Sequence, residues 1–205
     1  MNADVIDALR PFLSTLLFVF WSLLHSIFAD QGVKRRIEMF LGPKTNRWYR
    51  FVYVVISIIS LSAVMVPVYL WPGEVLWALQ GFPGIALSFI RFASLAGLLL
   101  TAVRTDMGDF LGLSHMAGKK NDDILVVSGA YSWVRHPLYS FGFVVIWSSP
   151  RMTAGTLALS IAASLYLWLG SYHEEAGLRR VFGEQYIKYA EEVPRLIPSR
   201  PRNRR

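Results

Sequence analysis

Long apolar runs alternate along this chain with short, strongly basic segments. A helix that crosses a bilayer needs roughly 20 mostly apolar residues. The runs from Pro11 to Ala29, Trp48 to Trp71 and Pro83 to Val103 meet that length. The second closes on Pro72-Gly73, a helix-breaking pair. A fourth run starts at Leu138 and stops at Ser149-Pro150, and a fifth extends from Met152 to Tyr172. These last two read as a tight helical hairpin turning at Ser149-Pro150-Arg151. The fourth is short, so it either begins within Arg135-His136-Pro137 or does not fully cross. Beyond the fifth run, Leu178, Val181, Phe182 and Tyr189 follow helical spacing and predict an amphipathic C-terminal helix. The pattern predicts an all-α integral membrane protein with about five transmembrane helices.

Composition supports this class. Hydrophobic residues make up 54% of the 205 and charged residues only 17%, below the roughly 25% of a soluble domain. Asp4 and Asp7 precede the first run in place of a basic cluster, and no small-residue cleavage site follows Ala29. The run therefore reads as a retained span, not a secretory signal. Cysteine is absent, which excludes disulfides, thiolate metal sites and a cysteine nucleophile. The formal net charge of +7 would suggest nucleic acid in a soluble protein. Here the charge flanks apolar runs, so membrane lipids with anionic headgroups are the simpler partner and nucleic acid is not expected.

Charge also orients the chain. All of the 21 basic residues except Arg10, Arg91 and Arg151 fall in three segments: Lys34 to Arg50, Arg104 to Arg135, and Arg179 to the end. Basic loops stay in the cytosol, so five spans put the N-terminus outside and all three segments inside a bacterial cytoplasmic membrane. Four spans with a re-entrant hairpin also fit the first two loops. No internal repeat interrupts the chain. It reads as one domain over 1–198 with a basic tail over 199–205.

Polar residues concentrate in two of the cytosolic segments. In the first, DDILVVSGAYSWVRHPLY, the residues Tyr131, Trp133, Arg135, His136 and Tyr139 crowd together where a helix enters the membrane. Pro137 disfavours helical geometry at His136, yet suits the first position of the next helix, where its missing N–H costs nothing. The amides of that helix start could face a carboxylate. The same residues also suit an interfacial aromatic belt. In the second segment, HEEAGLRRVFGEQYIKYAEEVPRLIP, Glu174 and Glu175 directly follow an apolar run, where carboxylates are costly unless paired or functional. An interfacial anchor helix with an acidic N-terminal start would account for them as well. Elsewhere, His25 reads as a helix–helix hydrogen-bond partner, and Arg91 as a snorkelling cation. The four histidines are too scattered for a metal site.

Taken together, SGAYSWVRHPLY, a hydrophobic hairpin, EE-x-x-L-x-x-x-FG-x-x-Y-x-x-Y and VPRLIP resemble the integral-membrane methyltransferases typified by isoprenylcysteine carboxyl methyltransferase. The resemblance spans about Asp123 to Pro198. It implies a cytosolic pocket for S-adenosylmethionine, with Asp123, Ile124, Leu125, Val126 and Tyr131 along the cofactor. His136, Pro137, Leu138 and Tyr139 would also surround it. Arg135 would support that loop, and Glu174 would face the cofactor–substrate junction. Position 123 is Asp where the animal prenylcysteine enzymes tend to have His. Those enzymes also carry a substrate-contacting Arg about one turn before the acidic pair, where this chain has Gly170. A carboxylate acceptor would lack that counter-ion. LLHSIFA, RWYRFVYVVIS and DMGDFLGL are similar to the bacterial methanethiol S-methyltransferase branch.

The resemblance thus implies S-methylation of a small or lipophilic thiol. Aligning donor and acceptor can itself be worth ~7–11 kcal/mol. Either Glu174 or Glu175 could take the thiol proton, or the sulfonium could lower the thiol's own pKa. Carboxyl O-methylation of a prenylcysteine and N-methylation of a phospholipid amine are alternatives within the class. A membrane scaffold or transporter is a different class, but a transporter would carry ionisable residues at mid-span, and only Arg91 approaches that. A reductase using NADPH would call for a basic cluster around the 2′-phosphate, where these segments offer mainly Arg135.

Overall fold

The computed structural model describes residues 3–104 and 124–199. Asp123, the DMGDFLGL segment and residues 200–205 lie outside the described residues. Nearly all regular structure is helical: α1 (Ala3–Leu9), α2 (Leu13–Ala29), α3 (Gln31–Leu41), α4 (Thr45–Leu70), α5 (Gly81–Arg104), α6 (Pro137–Trp147), α7 (Ala154–Phe182) and α8 (Glu184–Glu192). Two short strands, β1 (Val75–Ala78) and β2 (Arg151–Thr153), pair antiparallel.

Four helical stretches are long and apolar enough to cross a membrane: Val5–Ala29, Arg47–Leu70, Gly81–Arg104 and Ala154–Phe182. The protein is an integral membrane protein. Its accessible surface matches that solvent. Large apolar side chains such as Leu16, Ile59, Ile85 and Phe89 face outward, whereas Ser14, Thr101 and Ser171 are buried. Lipid rewards no sequestration of leucine, so helices in membranes approach through small and weakly polar residues.

The fourth apolar run differs from a full span. Helix α6 has 11 residues, about 16 Å at 1.5 Å per residue, roughly half the hydrocarbon thickness. Pro137 sets its start and Ser148 its end. The turn at Ser149-Pro150-Arg151 leads into β2 rather than directly into the next helix. Strand β2 registers against β1 as Val75 with Thr153, Trp77 with Met152 and Ala78 with Arg151. Runs this short carry too little periodicity to read as strands. The acidic pair also departs from the expected helix start. Helix α7 runs unbroken through Glu174 and Glu175 to Phe182, so neither glutamate sits at a helix N-terminus. The break comes at Gly183, whose φ of 51° favours glycine, and α8 follows as a separate helix of nine residues.

The described residues form two compact units, 3–79 with 151–163, and 80–104 with 124–150 and 164–199. In the first unit α2 packs on α4, with α3 against both. Asp30 caps α3, its Oδ1 accepting from the amides of Gly32 at 2.8 Å and Val33 at 3.2 Å. Trp21 Nε1 donates to Ser60 Oγ at 2.9 Å. The His25 ring lies 3.0 Å from Ser57 Oγ and 2.8 Å from the Tyr53 hydroxyl. His25 is therefore the helix–helix partner its position predicts. In the second unit α5 packs on α6. Gly97 permits this approach, since a Cβ there would lie 2.7 Å from Phe141 Cε1. Arg91 reaches Ser149 Oγ at 3.2 Å, and Trp147 Nε1 ties α6 to α7 through Ser164 Oγ at 2.9 Å.

Candidate active site

The candidate site lies within the second unit, where the start of α6, the last turns of α7 and the segment after α8 converge. Residues Gly129–Ser132 form a 3-10 turn leading toward Arg135. His136 lies outside the helical region, at φ −122° and ψ 67°, and Pro137 opens α6, in keeping with the clash that disfavours helical geometry before proline.

Arg135 is the hub. Its Nε and Nη2 donate to Glu175 Oε1 at 2.8 and 2.6 Å, while Nη1 donates to the carbonyls of Ala190 at 2.8 Å and Val193 at 2.6 Å. The backbone repeats the link. Arg135 N–H donates to Pro194 O at 2.8 Å, and His136 N–H to Arg195 O at 3.0 Å. Ser140 Oγ donates to Leu196 O, and the Tyr189 hydroxyl to Tyr131 O at 2.7 Å. One guanidinium thus satisfies a buried carboxylate and two carbonyls left open where α8 ends. The strap after α8 is held to the His-Pro loop at four successive residues.

The adjacent glutamates differ sharply. Glu175 is buried and engaged with Arg135. Glu174 projects differently, about 100° further round the helix axis. Its side chain is 48% exposed and lies 3.4 Å from His136 Nδ1. His136 itself is buried, stacked on Tyr139 at 5.4 Å between ring centroids, and its Nε2 lies 3.4 Å from Glu175 Oε1. Beside them Gly170 leaves space, since the first atom a Cβ would approach is the Tyr139 hydroxyl at 4.0 Å. A carboxylate, an imidazole and a phenol thus border an open notch, a lining suited to a ligand with ammonium and sulfonium groups. Of the residues the resemblance assigns to the cofactor, Ile124 and Val126 are exposed, and Leu125, Tyr131, Leu138 and Tyr139 are half-buried.

A separate cavity of about 950 Å³ opens beside α6, lined by Pro137, Ser140, Phe141 and Val144 with Trp168 and Arg195. Among the described residues, Pro137 is the one member of the assigned cofactor set that lines it. Arg195 also stacks on Tyr172, its guanidinium carbon 3.4 Å from the ring centroid.

Three contributors were not identified from sequence: Ser140, Arg195 and Tyr186. Tyr186 is fully buried and its hydroxyl makes no hydrogen bond. Burial, reinforced by the negative charge of Glu175, pushes its phenol up to about 12, with the nearby Arg135 guanidinium acting in the opposite sense. Tyr186 therefore stays neutral at ordinary pH. The Y-x-x-Y spacing of Tyr186 and Tyr189 and the prolines bracketing Arg195 were its sequence signals.

The comparisons agree with this architecture. A methanethiol S-methyltransferase of Mycobacterium tuberculosis is 32% identical over 89% of this chain and 75% of its own length. Methanethiol S-methyltransferase 1 of Bradyrhizobium diazoefficiens is 27% identical over 97% of this chain and 70% of its own. A protein-S-isoprenylcysteine O-methyltransferase of Schizosaccharomyces pombe is 33% identical over 58% of this chain and 56% of its own. No family model matches the chain, and no solved structure matches it. A helical membrane chain with such relatives along most of its length is an integral-membrane methyltransferase. The chain belongs to the methanethiol S-methyltransferase family.

Proposed function

We propose that this protein transfers the methyl group of S-adenosylmethionine to a small thiol, with methanethiol as the first acceptor to test. The observation that carries the reading is the division of labour between Glu174 and Glu175. The second is consumed by Arg135, whereas the first is half-exposed at the notch beside His136 and Gly170. When bound, S-adenosylmethionine supplies an electrophilic methyl group. His136, Tyr139, Tyr131 and the exposed edge of Ile124 to Val126 would hold the donor. Asp123 belongs to the same proposed set. Glu174 would accept the thiol proton at a carboxylate oxygen, and the thiolate would form a bond to the methyl carbon as the sulfonium–methyl bond breaks and S-adenosylhomocysteine leaves. Arg135 and Glu175 act as positioning residues that keep the strap closed over the site. Charge merges between the two reactants, so excluding water from the notch favours the reaction.

The large apolar cavity beside α6 supports an acceptor that arrives through lipid. Gly170 disfavours a carboxylate acceptor, because no guanidinium stands there to receive one. We further propose that residues 1–198 work as one domain, since similarity to the relatives runs through both compact units. Residues 199–205 would form a basic tail. The bias of basic residues supports an N-terminus outside and a site on the cytosolic face of a bacterial cytoplasmic membrane.

Calorimetry on detergent-purified protein tests the donor, with His136→Ala and Glu174→Ala alongside. Saturable S-adenosylmethionine binding, weakened in the His136 variant, is expected. Headspace detection of the methylated thioether from methanethiol tests the acceptor. Folded, monodisperse protein that binds no S-adenosylmethionine at millimolar concentration would remove the proposal.

A further inference from the structure

A second cavity, of about 540 Å³, lies in the first unit among α2, α3 and α4. Methyl transfer as described above makes no use of it. Its walls are apolar and aromatic, with Leu24, Phe28, Ile37, Leu41, Trp48 and Val52 among them. Several polar groups that border it are engaged within the unit: Trp21 with Ser60, His25 with Ser57 and Tyr53, and the Tyr49 hydroxyl with Phe28 O. The volume is in the range of small-ligand sites, but the chemistry favours an apolar, chain-like occupant over a polar metabolite.

Charge identifies the other end of that occupant. The stretch from Asp30 to Arg50 carries Lys34, Arg35, Arg36, Lys44, Arg47 and Arg50 against only Asp30 and Glu38. Two of these cations share helix faces with the cavity wall. Lys34 precedes Ile37 by three positions and Leu41 by seven, so all three lie on one face of α3. Lys44 stands four positions before Trp48, at the very start of α4. The N-terminus of this 26-residue helix adds a positive dipole end beside Lys44. Trp48 is itself 54% exposed, and tryptophan is enriched at headgroup depth. An apolar slot flanked by helices that carry Lys34 and Lys44 complements a phospholipid bearing net negative charge.

We propose that the α2–α3–α4 cavity is a binding site for an anionic phospholipid, with one acyl chain in the slot and the headgroup phosphate held by Lys34 and Lys44. The site is distinct from the methyl-transfer notch and does not depend on it.

Native mass spectrometry of the full chain in detergent tests this with phosphatidylglycerol and phosphatidylcholine of identical chains. One phosphatidylglycerol should be retained in preference to phosphatidylcholine. A basic residue near a lipid surface contributes about five-fold in affinity, so Lys34→Gln with Lys44→Gln should weaken retention roughly 25-fold. Val52→Trp, which fills the slot and leaves the lysines in place, should also abolish retention. Circular dichroism confirms that each variant is folded. Equal retention of the two lipids would overturn the proposal, as would unchanged retention in the double-lysine variant. Competition by glycerol phosphate as effective as intact phosphatidylglycerol would likewise overturn it, by showing an anion site without a chain slot.

Discussion

The pairing of Arg135 with Glu175 makes a quantitative prediction. Both side chains are nearly enclosed, at 11% and 7% exposure. Replacing Arg135 by Ala would strand a buried carboxylate and release the carbonyls of Ala190 and Val193. Breaking one side of a buried pair costs about 3–5 kcal/mol. At 2–4 °C per kcal/mol for a chain of this size, the melting temperature should fall by about 6–20 °C. Arg135→Lys keeps the charge but loses the planar fork that reaches three acceptors at once, so it should fall between wild type and Ala. The double variant Arg135→Met with Glu175→Leu removes both charges and should recover much of the lost stability. It should not recover full methyl transfer, because α8 and the strap would lose the guanidinium's bonds to the carbonyls of Ala190 and Val193. Thermal inactivation at a fixed scan rate in one detergent is the suitable assay, since unfolding of such proteins is seldom reversible. A fall under about 2 °C for Arg135→Ala, equivalent to less than 1 kcal/mol, would refute the clamp. So would full activity in the double variant.

Other variants separate chemistry from scaffolding. Glu174→Gln should slow single-turnover thiol methylation by about 10²–10⁴-fold without moving the melting temperature, and an unchanged rate would exclude Glu174 as the proton acceptor. Tyr186 has its pKa raised in the folded protein to about 12 from an unfolded value near 10, so its contribution to stability is fully present below pH 10 and is lost as pH rises toward 12. Tyr186→Phe should flatten that part of the stability–pH curve. It should cost little at neutral pH, because the hydroxyl makes no hydrogen bond, and a curve of unaltered shape would contradict the assignment. Gly97→Val would drive a side chain into the Phe141 ring and should destabilise the protein by about 1–3 kcal/mol in the same thermal assay, whereas wild-type stability would show that α5 and α6 are loosely joined.

Much of the fold was legible because bilayer thickness imposes a length that apolar runs either meet or miss. Four runs met it and formed long helices, the first three at nearly the expected positions. Pro137 marked the start of α6 for a local steric reason, so no tertiary information was needed. The failures arose where local signals were weak or ambiguous. Strand β2 spans only Arg151–Thr153 and is stabilised by β1, more than 70 positions earlier in the chain, so nothing in its own sequence announces it. The apolar pattern of the fifth run ended at Tyr172, but the helix did not, because Glu174 and Glu175 are good helix formers and Arg135 compensates the one that is buried.

That last point bears most directly on function. By residue type alone Glu174 and Glu175 are alike, identical and adjacent, and only the family resemblance singles out Glu174. A helix turns about 100° per residue, so one step along α7 carries a carboxylate from the notch beside His136 to the enclosed guanidinium of Arg135. Each side chain's chemistry is then fixed by what it meets. The buried carboxylate meets two N–H donors of the guanidinium and is enclosed with it. The exposed one lies 3.4 Å from the His136 imidazole, with its side chain 48% exposed. Helical spacing could predict that the pair would split between two faces, but which face held the arginine depended on a contact across 40 residues. A near-isosteric swap that removes the charge makes the asymmetry measurable: Glu174→Gln should impair turnover and spare the fold, whereas Glu175→Gln should impair the fold first.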